Sequence, residues 1–128
     1  MVTHWLSVRL MIETPDLASA AAAAATLCPT IARFGELTAL EIDRYWKIER
    51  YFKAVIVLQV DNPGDALRRL AEALAPDWQW GPNHDWAVWD LSSHGAFNIQ
   101  SVAARWAHVE ILPGDPAKAE PSQDRIGS

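Results

Sequence analysis

Apolar and polar residues alternate near the start of the chain: Leu6, Val8, Leu10 and Ile12 take turns with Ser7, Arg9, Met11 and Glu13. A period of two marks a strand with one buried face, so the spacing predicts a strand from Trp5 to Glu13. Thr14-Pro15-Asp16 follows, with Thr14 the expected N-cap and Pro15 at the first helical position, where its missing N–H costs nothing. The helix it opens is Ala-rich, with Leu17, Ala20, Ala21, Ala24 and Cys28 expected on its inner face and Pro29 ending or kinking it. Gly35 marks the exit.

Two strands are expected next, Leu37 to Tyr45 and Tyr51 to Asp61, joined by a polar link around Trp46-Lys47-Ile48-Glu49-Arg50. In the second strand Phe52, Ala54, Ile56, Leu58 and Val60 share one face while Val55 and Val57 make the other partly apolar, which places it inside the sheet. A second helix is capped by Asn62, begins with Pro63, buries Leu67, Leu70, Ala71 and Leu74, and stops at Pro76. Asp65 with Arg69 and Arg68 with Glu72 lie four apart on its wet side. Trp78-Gln79-Trp80 and Trp86-Ala87-Val88-Trp89 then read as short strands around the turn Gly81-Pro82-Asn83-His84. Ser92-Ser93-His94-Gly95 reads as a loop, and Arg105 to Leu112 as a last strand whose Ala107, Val109 and Ile111 oppose Trp106, His108 and Glu110.

This order matches the split β-α-β arrangement of a ferredoxin-like two-layer sandwich in the α+β class. The expectation is an antiparallel sheet of five or six strands with two helices on one face and a C-terminal strand extension. Residues 1–112 form one domain, and the Pro-, Gly- and charge-rich stretch 113–128 is expected to be a disordered tail. Two helices cover only one face of so wide a sheet, which leaves the other to the extension, a partner or water.

Composition narrows the function classes. The 128 residues carry 11 basic and 16 acidic side chains, a formal charge of −5, which disfavours nucleic acid or an anionic membrane as the main partner. A lone cysteine, Cys28, forms no intrachain disulfide, and no apolar run has the length of a membrane span, so a cytoplasmic location is expected. There is no glycine-rich phosphate loop, no Cys-x-x-Cys and no His-Glu-x-x-His, hence no cofactor is expected. His108 and Glu110 share a strand face and lack an obvious third metal ligand. Ser92 and His94 pair a nucleophile with a base, yet adjacent turn residues rarely reach catalytic geometry. No convincing active site emerges.

The stretch between Arg69 and Arg105 is unusual in holding no Lys or Arg while carrying Trp78, Trp80, Trp86 and Trp89 beside Asp77, Asp85 and Asp90. Indoles supply apolar area with an N–H donor and are favoured at binding hot spots, and carboxylates speed encounter with a cationic partner. These seven residues are the candidate partner-binding surface; ordinary core packing of the indoles is the competing reading.

Trp46-Lys47-Ile48, Tyr51-Phe52, Trp78-Gln79-Trp80, Trp86-Ala87-Val88-Trp89 and Arg105-Trp106-Ala107-His108-Val109-Glu110 together resemble the pattern of small bacterial immunity proteins, encoded beside contact-dependent growth inhibition and related polymorphic toxins. The resemblance spans most of residues 37–112. It implies a cytosolic, non-enzymatic protein that binds and neutralises a cognate toxin domain, often a nuclease, by covering its active site, and it assigns no contact residue. A basic nuclease cleft suits an acidic inhibitor, with carboxylates in the place of phosphates. The alternatives are a dimeric ferredoxin-like module sensing a small ligand and, last, a small enzyme using His94 or His108.

Overall fold

In the computed structural model, which describes residues 4–114, the chain runs β1 (His4–Glu13), α1 (Leu17–Ile31), β2 (Glu36–Arg44), β3 (Tyr51–Val60), α2 (Pro63–Leu74), β4 (Gln79–Trp80), β5 (Trp86–Asp90), α3 (Leu91–His94) and β6 (Ala104–Leu112), with a 3-10 turn at Gln100–Val102 before β6. All six strands join one sheet in the order β2-β3-β1-β6-β5-β4, and each neighbouring pair is antiparallel. The architecture is the α+β class that the hydrophobic pattern predicts. The tail expected over 113–128 lies outside the described residues beyond Gly114.

The alternation in β1 does what its period requires. Leu6, Val8, Leu10 and Ile12 are fully buried and join a single core with Leu27 and Ile31 of α1, Leu67, Leu70 and Leu74 of α2, Ile56 and Leu58 of β3, and Ala107 and Val109 of β6. Each such aliphatic side chain taken from water contributes about 1.5–3 kcal/mol, so this core is the main source of stability.

Helix α2 forms as its sequence dictates. The Asn62 side chain accepts from the Asp65 amide at 3.3 Å, Pro63 opens the helix, and Leu67, Leu70, Ala71 and Leu74 are its buried stripe. Arg68 reaches both Asp65 at 2.9 Å and Glu72 at 3.7 Å, and Arg69 reaches Asp65 at 3.6 Å. Helix α1 departs from expectation at three points. Its N-cap is Asp16, which accepts from the Ser19 amide at 2.8 Å, because the Thr14 amide is already taken by the Arg50 carbonyl at 2.9 Å and so extends the strand pairing. Its buried stripe is Ala20, Ala23, Ala24, Leu27 and Ile31, leaving Leu17 and Ala21 exposed and Cys28 half-buried, because Leu27 and Ile31, four apart, set the inward face. Pro29 does not end it: the helix runs to Ile31, whose fully buried side chain holds the last turn against the core.

Two further segments differ in detail. Trp78 lies outside β4, which is only Gln79–Trp80, and Ser92-Ser93-His94 is not a loop but most of the short helix α3. Asp90 caps α3 by accepting from the Ser92 amide at 2.8 Å, a local bond that the Asp-x-Ser spacing favours.

Candidate functional site

The odd-numbered residues of β1 face away from the core, and the register aligns them with neighbours from four other strands. One row across the sheet is Ala39, Val57, Ser7, Glu110, Trp86; the next is Glu41, Val55, Arg9, His108, Val88; a third is Asp43, Lys53, Met11, Trp106, Asp90. Trp5 begins a fourth row beside Leu112 and Gln59. Most of these side chains are half-buried by their neighbours or exposed. The central feature is His108 between two indoles, stacked on Trp106 at 6.0 Å and 19° and tilted against Trp86 at 6.2 Å and 45°.

Electrostatics on this face are set by partial burial. His108 holds its proton less tightly than an ordinary histidine, chiefly because its neighbours strip water from the imidazolium; Glu110 opposes this and the Arg9 guanidinium adds to it. Arg9 lies 3.9 Å from Glu110, and Arg105 lies 2.8 Å from Glu13. Both pairs are partly wet, so each is worth at most about 1 kcal/mol. Pairing takes up both arginines. Register adds Glu36, Glu41 and Asp43 on the same side, with Lys53 among them and Lys47 at the adjoining turn, its ammonium 5.0 Å from the centre of the Trp46 ring.

At one end the face is extended by the turn between β2 and β3. The turn is closed by the Tyr45 amide donating to the Tyr51 carbonyl at 2.8 Å, and by the Arg44 guanidinium donating to the Glu49 carbonyl at 2.9 Å. It carries Trp46 with 78% of its surface exposed and Ile48 with 47%, beside an apolar hollow of about 330 Å³ lined by Met11, Tyr45, Ile48, Tyr51 and Trp106. An indole so open to water is a large unburied apolar surface.

The seven residues singled out from sequence are not one surface. Trp89 is sealed in the core against Phe97 at 5.1 Å, and Trp78 is buried with its indole N–H donating to the carbonyls of Ala71 at 2.7 Å and Ala75 at 2.9 Å. For Trp89 the cause is strand parity: in β5 the alternation that faces Trp86 and Asp90 outward turns Ala87 and Trp89 inward. Trp80 is half-buried and lines, with Asp77 and Trp78, a cleft of about 530 Å³ beside α2, bounded also by the turn residues Asn83 and His84. Trp86 lies on the open face, packed so closely over Gly81 that a Cβ there would enter its ring. Asp85 is exposed at the start of β5, and its carbonyl accepts from the Ile111 amide at 2.8 Å. Asp90 is on the open face, but its carboxylate is engaged by the Ser92 hydroxyl and amide, which hold it below the usual carboxylate range.

Sequence reasoning therefore missed Trp5, Met11, Trp46, Tyr51, Trp106 and His108 as members of the exposed aromatic surface. Strand parity was the available signal, since Trp106 and His108 oppose the core residues Ala107 and Val109.

The other candidate chemistries find little support in the geometry. Ser92 Oγ donates to Asp90 and His94 Nδ1 accepts from the Asp90 amide at 3.1 Å, so the hydroxyl and the imidazole serve the cap of α3 rather than each other. Among the described residues no group of three or more His, Cys, Asp or Glu is placed to hold a metal ion, and no helix is long and apolar enough to cross a membrane. No family model, no curated protein and no solved structure matches the chain.

Proposed function

We propose that the chain is an immunity-type binding protein with a ferredoxin-like core, which neutralises a basic toxin domain by docking it on the open face of its sheet. The fold reading rests on the order β2-β3-β1-β6, to which the β4–β5 hairpin is added outside β6, and on α1 and α2 sharing one core with the even-numbered side chains of β1. The observation that carries the functional reading is the aromatic face itself: Trp5, Trp86, His108 and Trp106 on four successive rows of one sheet surface, continued by Trp46 and Ile48 at its edge. Half-buried indoles in such a field are the anchors around which protein interfaces concentrate their affinity.

Charge selects the occupant. With Arg9 and Arg105 paired internally, the carboxylates Glu36, Glu41 and Asp43 outnumber the two cations Lys53, on the sheet, and Lys47, over the Trp46 ring, and the whole chain carries −5. A polyanion is repelled and a basic protein is drawn in. A nuclease domain fits, because its cleft is built to hold phosphates.

The test is co-expression with the toxin domain encoded by the adjacent gene, followed by purification and stopped-flow association. The expected result is a stable complex that blocks the toxin's activity and forms more slowly as salt rises. Absence of a complex at micromolar concentrations of both chains overturns the reading. Dimerisation of the chain alone through the same face, measured by sedimentation, would instead favour the ligand-sensing dimer, for which the 330 Å³ hollow offers room.

A further inference from the structure

On the other side of the β4–β5 hairpin, away from the docking face, the 530 Å³ cleft beside α2 falls within the range of small-molecule sites. Its construction is specific. Trp78 forms part of the wall and cannot turn, because both acceptors of its N–H are carbonyls at the end of α2. Trp80 offers a half-exposed indole, with the His84 ring 5.7 Å away and tilted by 51°. His84 is held there by a backbone in the left-handed region, φ 56°, a conformation that side chains seldom adopt unless the surrounding turn imposes it. Here the His84 amide donates to the Gly81 carbonyl at 3.1 Å and fixes the turn.

The charges in the cleft have a definite sign. Arg68 is the guanidinium in the lining, and it is occupied by Asp65 at 2.9 Å and Glu72 at 3.7 Å. Glu72 and Asp77 both line the cleft, and Asp77 has no ion-pair partner among the described residues. An indole face next to a free carboxylate is the pairing that recognises an organic cation, through the ring quadrupole on one side and direct charge on the other. An anion would meet carboxylates whose only nearby counter-charge is already engaged. A neutral apolar ligand would leave Asp77 without a partner.

We infer that this cleft is a binding site for a guanidinium or ammonium group on a slender apolar stem, seated against Trp80 and His84 and paired with Asp77. The site does not depend on the toxin-docking reading. Its ligand could reach it either as a free amine or as an Arg or Lys side chain of another protein, and the two sources share this chemistry.

Gly64 at the start of α2 supplies a clean way to close the cleft, since it lies on the lining and a Cβ there would meet nothing within 4 Å. The experiment titrates the full chain, labelled with nitrogen-15, with agmatine, with a blocked Gly-Arg-Gly peptide, and with acetate as the anionic control. The expected result is saturable movement of the Trp80 and His84 resonances by agmatine or the peptide, with a dissociation constant of about 1 mM or lower, and none by acetate. Movement by agmatine alone assigns a free amine, and movement by the peptide assigns a protein side chain. Gly64→Leu and Asp77→Asn each weaken binding about tenfold or more while thermal stability is kept. His84→Gly removes the ring and relaxes the backbone, so affinity falls without loss of stability. Failure of both cations to move these resonances, equal movement by acetate, or unchanged binding in Gly64→Leu overturns the assignment.

Discussion

Trp89 is the largest fully buried side chain among the described residues, and its indole N–H finds no acceptor among them. An orphaned buried donor costs about 1–3 kcal/mol, so the residue contributes less than its area implies. Trp89→Phe removes the orphan and keeps a ring beside Phe97; the expected loss in urea denaturation is below about 1.5 kcal/mol, against about 3–5 kcal/mol for Trp89→Ala. Gly81 is the opposite case, a missing side chain that makes room for one. Gly81→Ala places a methyl inside the Trp86 indole, which must swing away from the turn and change its packing against His108. A red-shifted tryptophan emission with lowered thermal stability is the expected signature, and unchanged emission would count against the packing described. His108 sets a pH dependence whose sign follows from its depressed proton affinity. The folded state binds fewer protons at this position than the unfolded one, so its contribution to stability is complete above the ordinary value of 6.5 and is lost as pH falls through the folded value. Urea midpoints measured from pH 7.5 downward should decline more steeply in the natural protein than in His108→Gln.

The elements differ in how locally they are determined. Helix α2 carries its own start, stripe and side-chain ion pairs, so Asn62→Ala should cost about 1 kcal/mol through the lost cap, and Leu70→Ala about 2–5 kcal/mol through the cavity it leaves. Both are read from denaturant midpoints at unchanged slope. Helix α1 depends more on its surroundings. With Ala at most of its inner positions it covers little apolar area per turn, and Leu27 and Ile31 bear most of its attachment. Asp16 caps its start, and those two residues, rather than Pro29, decide which face is buried and how far it runs. Strands β5 and β6 show why a cluster of aromatics in sequence is a poor guide to a cluster in space. Trp86 and Trp89 are three apart and therefore on opposite faces, while Trp86 and Trp106 come from different strands and flank the same imidazole.

For the molecule as a whole, α1 and α2 share one core with the even-numbered side chains of β1, while the odd-numbered side of that strand lies among half-buried indoles. Three edits separate affinity from encounter. On the proposed reading, Trp46→Ala and Trp106→Ala should each weaken binding of the toxin domain by about 2 kcal/mol or more, chiefly by faster dissociation. Glu41→Lys should slow association and flatten its salt dependence with little change in dissociation. Surface plasmon resonance at two salt concentrations distinguishes these outcomes. Equal effects on both rates in all three variants would count against the open face as the proposed docking surface.

Local patterns alone determined β1, β3 and α2, because the periods of two and 3.6, the Asn-Pro start and the uninterrupted aliphatic stripe are satisfied by residues near one another in the chain. They also carried the acidity, the expected α+β order and the outward parity of His108 and Glu110. Tertiary structure decided which indoles are anchors and which are core. Membership of the open face depends on the register of β1 between β3 and β6, which joins Trp5, Met11, Trp86 and Trp106 across long separations, and no local spacing encodes that alignment. The cleft beside α2 likewise exists only because the hairpin folds back on the helix, bringing Asp77, Trp80 and His84 to Arg68 and Glu72. Period and capping are local energies, whereas a surface is assembled from pairings that the chain makes only once it has folded.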